Sequence, residues 1–316
     1  MDDVLWIVTP VSNPLQWKSR IRLARAAITD WLREPNVRIV VAETAYGSRP
    51  HELDDLVDDR VIHVPLRANT MAWSKENTQN IAVSRLPDGA KYVAFLDADI
   101  HFRKDGWARR AVDALQLYPV IQPWRECLDM GPDDDSIIAK HNSFASLFHD
   151  GKPVVPSHRP MWKADGGPYD YAHSGFGWCW TMDALNRVGG LFECGGMGSG
   201  DYHMALGLIG EARYSIVGDT SQSYEDAVII WQQRALTHVN QKLGYTDEVI
   251  SHDFHGSKAH RYYIGRWGMF QRHRFDPIRD LKRNVWGVIE FAGNKPALER
   301  EWANYLRSRR EDGNQA

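Results

Sequence analysis

Tyr92-Val93-Ala94-Phe95-Leu96-Asp97-Ala98-Asp99 is the stretch on which the reading of this sequence turns. Five apolar residues run without a polar break into two carboxylates one residue apart. An apolar run without alternation is a strand covered on both faces, the pattern of a parallel sheet buried between helices. The carboxylates at its exit cannot both enter an apolar layer. Side chains of this kind at a strand end can converge on a hard divalent cation, which in turn bridges phosphate oxygens.

The flanking sequence fits the same plan. Val4–Val11, Val37–Ala42 and Val61–Leu66 read as further buried strands, and Val120-Ile121 begins another. Leu15–Arg33, Trp73–Leu86 and Gly106–Leu117 carry apolar residues at helical spacing. Pro87-Asp88-Gly89 closes the second of these helices. Strands alternating with helices indicate an α/β unit with a mainly parallel sheet. Ligands of such sheets bind beyond the carboxyl ends of the strands. Thr9-Pro10, Glu43 and Asp97-Ala98-Asp99 are therefore expected along one edge. Glu126–Asp170 reads as loop-rich. A strand near Phe176–Thr181, a short helix at Asp183–Val188, a helix from Asp201 and a long helix over Glu225–Leu243 follow. Gly189–Gly200 and Asp129–Ser136 are candidates for mobile loops.

Composition excludes several classes. The 316 residues allow one large domain or two packed ones, and 43% apolar with 25% charged residues is ordinary for a soluble globular chain. No apolar run reaches membrane-spanning length, and the acidic start Met1-Asp2-Asp3 shows no signal peptide. Cys127, Cys179 and Cys194 are odd in number and form no CxxC pair, so neither a disulfide framework nor a cysteine zinc site is expected. A cytoplasmic protein is the simplest expectation. Net charge is −3, yet Lys258–Arg310 holds 13 Lys/Arg against 5 Asp/Glu. A basic segment on an acidic body can face phosphate groups or form a solvated helix face. Thirteen tryptophans are too many for one core, so some are expected to line a cleft. Trp6, Trp17 and Trp31 read as core. Trp73, Trp107, Trp124, Trp162, Trp178 and Trp180 fall near the motifs. Trp180 reads as core and Trp178 as the better candidate to line a ligand pocket.

These motifs together resemble the nucleotide-sugar glycosyltransferases of GT-A fold, near the family 2-like proteins, and the whole sequence resembles those carried by bacteriophages. The resemblance runs from Val4 to about Arg266. It implies a Rossmann-like, mainly parallel α/β sheet flanked by helices, with a helical C-terminal extension. It divides the chain into a nucleotide-sugar half (1–125), an acceptor and catalytic half (126–256) and a basic helical segment (257–316). Thr9, Pro10, Glu43, Lys75 and Asn80 match donor-binding positions. Asp97 and Asp99 match the metal-binding DxD, with Asp97 also beside the donor. Gly189-Gly190-Leu191-Phe192-Glu193 resembles the turn before the catalytic acidic motif. There the family has a Glu-Asp pair and this chain has Gly200-Asp201, which leaves Asp201 as the sole candidate base in the motif; a plain N-terminal helix residue is the alternative. His255-Gly256 followed by Lys258 and Arg261 resembles the element in which a histidine completes the metal shell and cations meet the diphosphate, with His252 the alternative ligand. A helix from Ser257 would aim N–H groups at phosphate.

The resemblance thus implies a hexosyltransferase using Mn²⁺ or Mg²⁺ and a nucleotide-sugar donor, UDP-linked by family habit. Inversion is implied by a base opposite the leaving group, although the His-Gly-x-Lys element is also similar to retaining families. The acceptor is a hydroxyl. One expectation is a 5-hydroxymethylpyrimidine in phage double-stranded DNA, on the basic segment and the phage-like resemblance; a glycan or protein hydroxyl is the alternative. A nucleotidyltransferase and a non-catalytic DNA- or glycan-binding module are readings from other classes. Donor sugar and oligomeric state are not legible.

Overall fold

The computed structural model describes residues 3–56, 58–155, 172–261 and 265–312. Its first half is β1 (Leu5–Ser12), α1 (Lys18–Trp31), β2 (Val37–Tyr46), β3 (Val61–Ala68), α2 (Lys75–Val83), β4 (Tyr92–Leu96), β5 (Ile100–Phe102), α3 (Trp107–Leu115) and β6 (Val120–Gln122). There follow β7 (Glu126–Met130), β8 (Ile137–Asn142), α4 (Phe144–His149), β9 (Gly177–Thr181), α5 (Met182–Val188), α6 (Gly200–Ile209) and α7 (Gln222–His238). The chain finishes with β10 (Leu243–Tyr245), β11 (Val249–His252), α8 (Gly265–His273), α9 (Pro277–Asp280), β12 (Leu281–Arg283), β13 (Ile289–Phe291) and α10 (Pro296–Ser308).

Seven strands form the main sheet in the order β10-β6-β9-β4-β1-β2-β3. The pairs β1–β2, β1–β4, β2–β3 and β10–β6 are parallel; β9 runs antiparallel to both its neighbours. The expected mainly parallel α/β sheet is present. Its central strands are buried on both faces in strict alternation. Leu5, Ile7, Val37, Ile39, Tyr92 and Ala94 pack on the α1–α3 side, whereas Val8, Val40, Val93 and Phe95 pack on the other. This double burial makes the runs continuously apolar, and burying each such side chain contributes roughly 1.5–3 kcal/mol.

Two expectations need correction. The stretch read as loop-rich holds β7, β8 and α4, and β7 and β8 join β5 and β11 in a second sheet ordered β5-β11-β7-β8. Asp129, expected at the edge of a mobile loop, lies within β7. The C-terminal segment is not only helical: β12 and β13 form an antiparallel hairpin. Nor is the segment an outlying basic face. Trp267, Phe270, Phe275, Phe291, Leu298 and Trp302 enter the same core as Val93 and Trp180. Five of its 13 cations form ion pairs within the protein, in Arg272–Glu301, Arg279–Asp276, Arg283–Glu193, Lys295–Asp280 and Arg309–Glu311. The chain's end also caps its first helix. The Asp312 carboxylate accepts the N–H groups of Lys18 and Ser19 at 3.1 and 2.8 Å, at a helix start whose own cap residue is Trp17. Carboxylates satisfy helix N-termini in this way. Among the described residues no helix is long and apolar enough to cross a membrane.

His203 on α6 is wholly buried between Ser215 Oγ at 2.6 Å and Tyr224 OH at 2.7 Å. Burial pushes its imidazole down to about 3. The unfolded chain takes up a proton near 6.5 that the folded chain refuses, so this group's contribution is intact above 6.5 and is lost as pH falls towards 3. Denaturant titrations of His203→Asn should show a slope between pH 6 and 4 shallower than wild type by up to about 1.4 kcal/mol per pH unit.

Candidate functional site

A cleft of about 260 Å³ opens at the carboxyl edge of the main sheet. Pro10 and Ser12 of β1, Tyr46 of β2, and Asp97 and Asp99 after β4 line one side. Trp73, Lys75 and Glu76 at the start of α2, Ser199 and Asp201 around the start of α6, and His252 and His255 after β11 line others. Trp302, Tyr305 and Arg309 of the C-terminal segment close it.

The two carboxylates of the strand exit diverge into different surroundings. Asp97 forms an ion pair with Lys75. Burial pushes the Asp97 carboxyl up, the negative charges of Asp99 and Asp201 add to this, and Lys75 opposes it. Burial works against the charge of Lys75, but Asp97, Glu76 and Asp201 outweigh it and raise the ammonium above its ordinary value.

Asp99 turns the other way. Its Oδ2 lies 3.0 Å from His255 Nε2 and 3.7 Å from His252 Nε2. Burial would raise this carboxyl, but the two imidazoles prevail and hold it well below the usual carboxylate range. Among the described residues, ligand atoms of Asp99, His252 and His255 lie within 4.8 Å of one another. Asp99 Oδ1 is buried and has no hydrogen-bond partner among the described residues. An unpaired buried carboxylate oxygen is costly, and this one belongs to a carboxylate whose other oxygen faces two imidazole nitrogens, a set that fits a cation. The donor set therefore suits a divalent metal. It includes His252, the alternative ligand, together with Asp99 and His255, whereas Asp97 is held by Lys75.

Position 200, where the resemblance implies a carboxylate, has no room for a side chain. A Cβ placed there would lie 2.6 Å from Glu76 Oε1 and 2.7 Å from Glu76 Cδ. The space beside Asp201 is filled by a carboxyl group from α2. Glu76 is buried, and desolvation together with the charge of Asp201 pushes it up to about 7 against the opposing pull of Lys75. Glu76 thus lies beside the residue preceding Asp201, the expected sole carboxylate of this stretch. Glu76 sits at the start of an expected helix, and the one signal for it was its place next to Lys75.

Phe176 forms the floor. Its φ of 70° is a left-handed conformation that a bulky side chain adopts at a cost of order 1–3 kcal/mol. Its ring stacks on His173 at 4.1 Å, and its carbonyl accepts the N–H of Asp97 at 2.9 Å.

No protein-family model matches this sequence, and no curated protein does. Solved structures do match. One is a mannosyltransferase from Pyrobaculum calidifontis in complex with GDP-Man and Mn²⁺, 13% identical over 98% of this chain and 71% of that one, TM-score 0.44. Another is S. aureus TarS in complex with UDP-GlcNAc, 7% identical over 96% of this chain and 72% of that one, TM-score 0.43. A 4-diphosphocytidyl-2C-methyl-D-erythritol synthase from Anaerococcus prevotii is 8% identical over 78% of this chain and 88% of that one, TM-score 0.37. At these scores the likeness says nothing about individual residues, and the site is judged on its own atoms.

Several expected donor residues lie elsewhere. Thr9 is buried in β1 and donates its hydroxyl to Leu96 O at 2.9 Å, bracing the strand exit from beneath. Glu43 accepts the N–H groups of Glu52 and Leu53 at 2.5 and 3.1 Å and pairs with His63 at 2.8 Å, outside the main cleft. Asn80 exchanges two hydrogen bonds with the backbone of Leu191 and so stitches α2 to the glycine-rich turn. Their polar atoms are committed to the fold. Trp178 and Trp180 do share a face; with Phe95, Asp97 and Asp201 they wall a small recess beside the cleft. Trp107, stacked on Phe102, and Trp124 are core, whereas Trp73, Trp17 and Trp302 line the cleft. Trp162 lies outside the described residues, as does the side chain of Lys258. Lys258–Arg261 is one 3-10 turn rather than the start of a helix. Arg261 reaches His255 Nε2 at 2.8 Å and, like Arg266, lines the cleft.

The Glu76–Gly200 fit has a direct test. Gly200→Ala should cost about 1–3 kcal/mol by forcing Glu76 aside. In Glu76→Ala/Gly200→Ala most of that cost should vanish, read as coupling in a double-mutant cycle by denaturant unfolding.

Proposed function

We propose that this protein is a metal-dependent glycosyltransferase moving a sugar from a nucleoside-diphosphate donor to a hydroxyl acceptor. The observation that carries the reading is the convergence, in one cleft at the carboxyl edge of a parallel sheet, of an Asp99–His252–His255 cluster and a Lys75–Glu76–Asp97–Asp201 cluster. The first suits a cation; the second supplies a carboxylate beside fixed positive charge. Two imidazoles in the donor set favour Mn²⁺ over Mg²⁺, which prefers an all-oxygen shell. When bound, the metal neutralises charge developing on the leaving diphosphate.

The chain's own groups do the rest. Arg261 and Arg266 face the diphosphate, and Lys75 keeps Asp97 fixed at the strand exit. Asp201 accepts the proton of the attacking hydroxyl. The acceptor oxygen bonds to the anomeric carbon as the bond from that carbon to the diphosphate oxygen breaks, its electron pair leaving with the nucleoside diphosphate. Attack from the Asp201 side, opposite the leaving group, inverts the anomeric centre. Glu76 is the second carboxylate of the acidic pair, raised by burial to about 7. Pro10, Ser12 and Tyr46 border the nucleotide end of the cleft, and Trp178 walls the recess next to Asp201. The expectation of a DNA acceptor rests on the basic segment and the phage-like resemblance, and five of the segment's 13 cations are engaged in internal ion pairs; a small-molecule, glycan or protein hydroxyl fits equally well.

Nucleoside diphosphate release should be measured across a panel of sugar nucleotides with Mn²⁺ and hydroxyl acceptors, plain and hydroxymethylated DNA among them. Activity is expected with at least one donor and is expected to disappear with chelator. Asp201→Asn should lower kcat at least 100-fold, within the usual range for losing a general base. Diphosphate release from a nucleoside triphosphate and a sugar phosphate, with no transfer, would instead identify a nucleotidyltransferase.

A further inference from the structure

Behind the candidate metal ligands lies a second row of polar groups that no motif in the sequence marks. Asp129, in β7, is 1% exposed. It is the parallel register partner of His252, the last residue of β11. Its Oδ1 accepts from His252 Nδ1 at 2.8 Å, and its Oδ2 accepts from His141 Nε2 at 2.5 Å. His141, on β8, is 2% exposed. The row runs His141–Asp129–His252, and its last member turns Nε2 to within 3.3 Å of His255 Nε2 and 3.7 Å of Asp99 Oδ2.

We infer that Asp129, backed by His141, is a positioning residue that makes His252 a metal ligand. An imidazole can offer only one nitrogen to a cation, and the hydrogen bond at the other decides which. With Nδ1–H donated to Asp129, the lone pair of His252 is at Nε2, on the side of Asp99 and His255. The negative charge of Asp129 raises the basicity of the ring and holds its orientation. The Phe176 ring, 4.8 Å away and tilted 44°, prevents His252 from turning off this axis. A carboxylate this deep is costly without partners. His141 is its second one, leaving both oxygens of Asp129 engaged. The pairing is also fixed by backbone, since Asp129 and His252 sit side by side in adjacent strands and not on loops.

The inference rests on the metal-binding part of the proposed function and not on sugar transfer. It is tested on the full chain by Mn²⁺ titration followed by electron paramagnetic resonance, with Co²⁺ absorption as a report on imidazole ligation. His252→Ala and His255→Ala should each lose most of the affinity. Asp129→Asn keeps a hydrogen-bond acceptor but not the charge, and should weaken Mn²⁺ binding about 10-fold; Asp129→Leu, which removes both, should weaken it about 100-fold. Asp280→Asn, which breaks a comparably buried ion pair with Lys295, controls for general destabilisation and should bind Mn²⁺ as wild type does. The inference is overturned if folded Asp129→Asn binds Mn²⁺ like wild type, if His252→Ala does, or if Asp280→Asn loses as much as Asp129→Asn. A wild-type protein that binds no divalent cation removes both this inference and the metal reading beneath it. Metal binding as described without turnover of any sugar nucleotide would instead count against the transfer reaction alone.

Discussion

The site depends on the placement of β11 between β5 and β7. β11 pairs antiparallel with β5 and parallel with β7, so that His252 lies opposite both Ile100 and Asp129. The N–H of Asp253 bonds the carbonyl of Asp99 at 2.9 Å. A strand from late in the chain is thereby clamped to the second carboxylate residue of the strand exit. Without that pairing Asp99 would face His252 and His255 across a sequence gap of more than 150 residues with nothing to bring them together. Because a one-residue slip turns every side chain of a strand to the opposite face, the same register that buries Ile250 also aims His252 at Asp99.

Charge in the cleft falls into two groups. Lys75 compensates Asp97, Glu76 and Asp201, while the two imidazoles compensate Asp99. A buried carboxylate is tolerated only where something of opposite sign or a hydrogen-bond donor meets it. The first group has more negative than positive charge; burial is the main cause of the raised values of Asp97 and Glu76, and the neighbouring carboxylates add to it. Such tension is typical of sites that handle protons or cations rather than of structural ion pairs. Phe176, held with a positive φ between the two groups, is the backbone counterpart of that tension.

The C-terminal segment completes the cleft instead of decorating it. Trp302 donates its indole N–H to Met71 O at 2.6 Å and, with Tyr305, forms one wall. Glu311 is almost fully buried between Arg20 and Arg309, and Asp312 caps α1. The start of α1 and the Arg309–Asp312 stretch thus meet beside the candidate site, with Arg20 and Arg309 both paired to Glu311.

What the sequence alone determined follows from local chemistry. β1, β2 and β4 were legible because burial on both faces leaves an uninterrupted apolar run. The carboxylates at the exit of β4 were legible because polar residues cannot follow such a run without a reason. His255 and Asp201 were legible from motif resemblance, and Gly200 marked where a second carboxylate was missing. β7 and β8 were not legible, since Ile137 and Ile138 stay exposed and an acidic turn separates the strands. Which residues meet was a matter for the tertiary structure alone. Glu76 filling the place beside Asp201, Glu43 and Asn80 committed to the backbone, and Asp129 behind His252 all depend on pairings between distant segments. Periodicity reports which face of an element is buried; it carries no information about the neighbour that buries it.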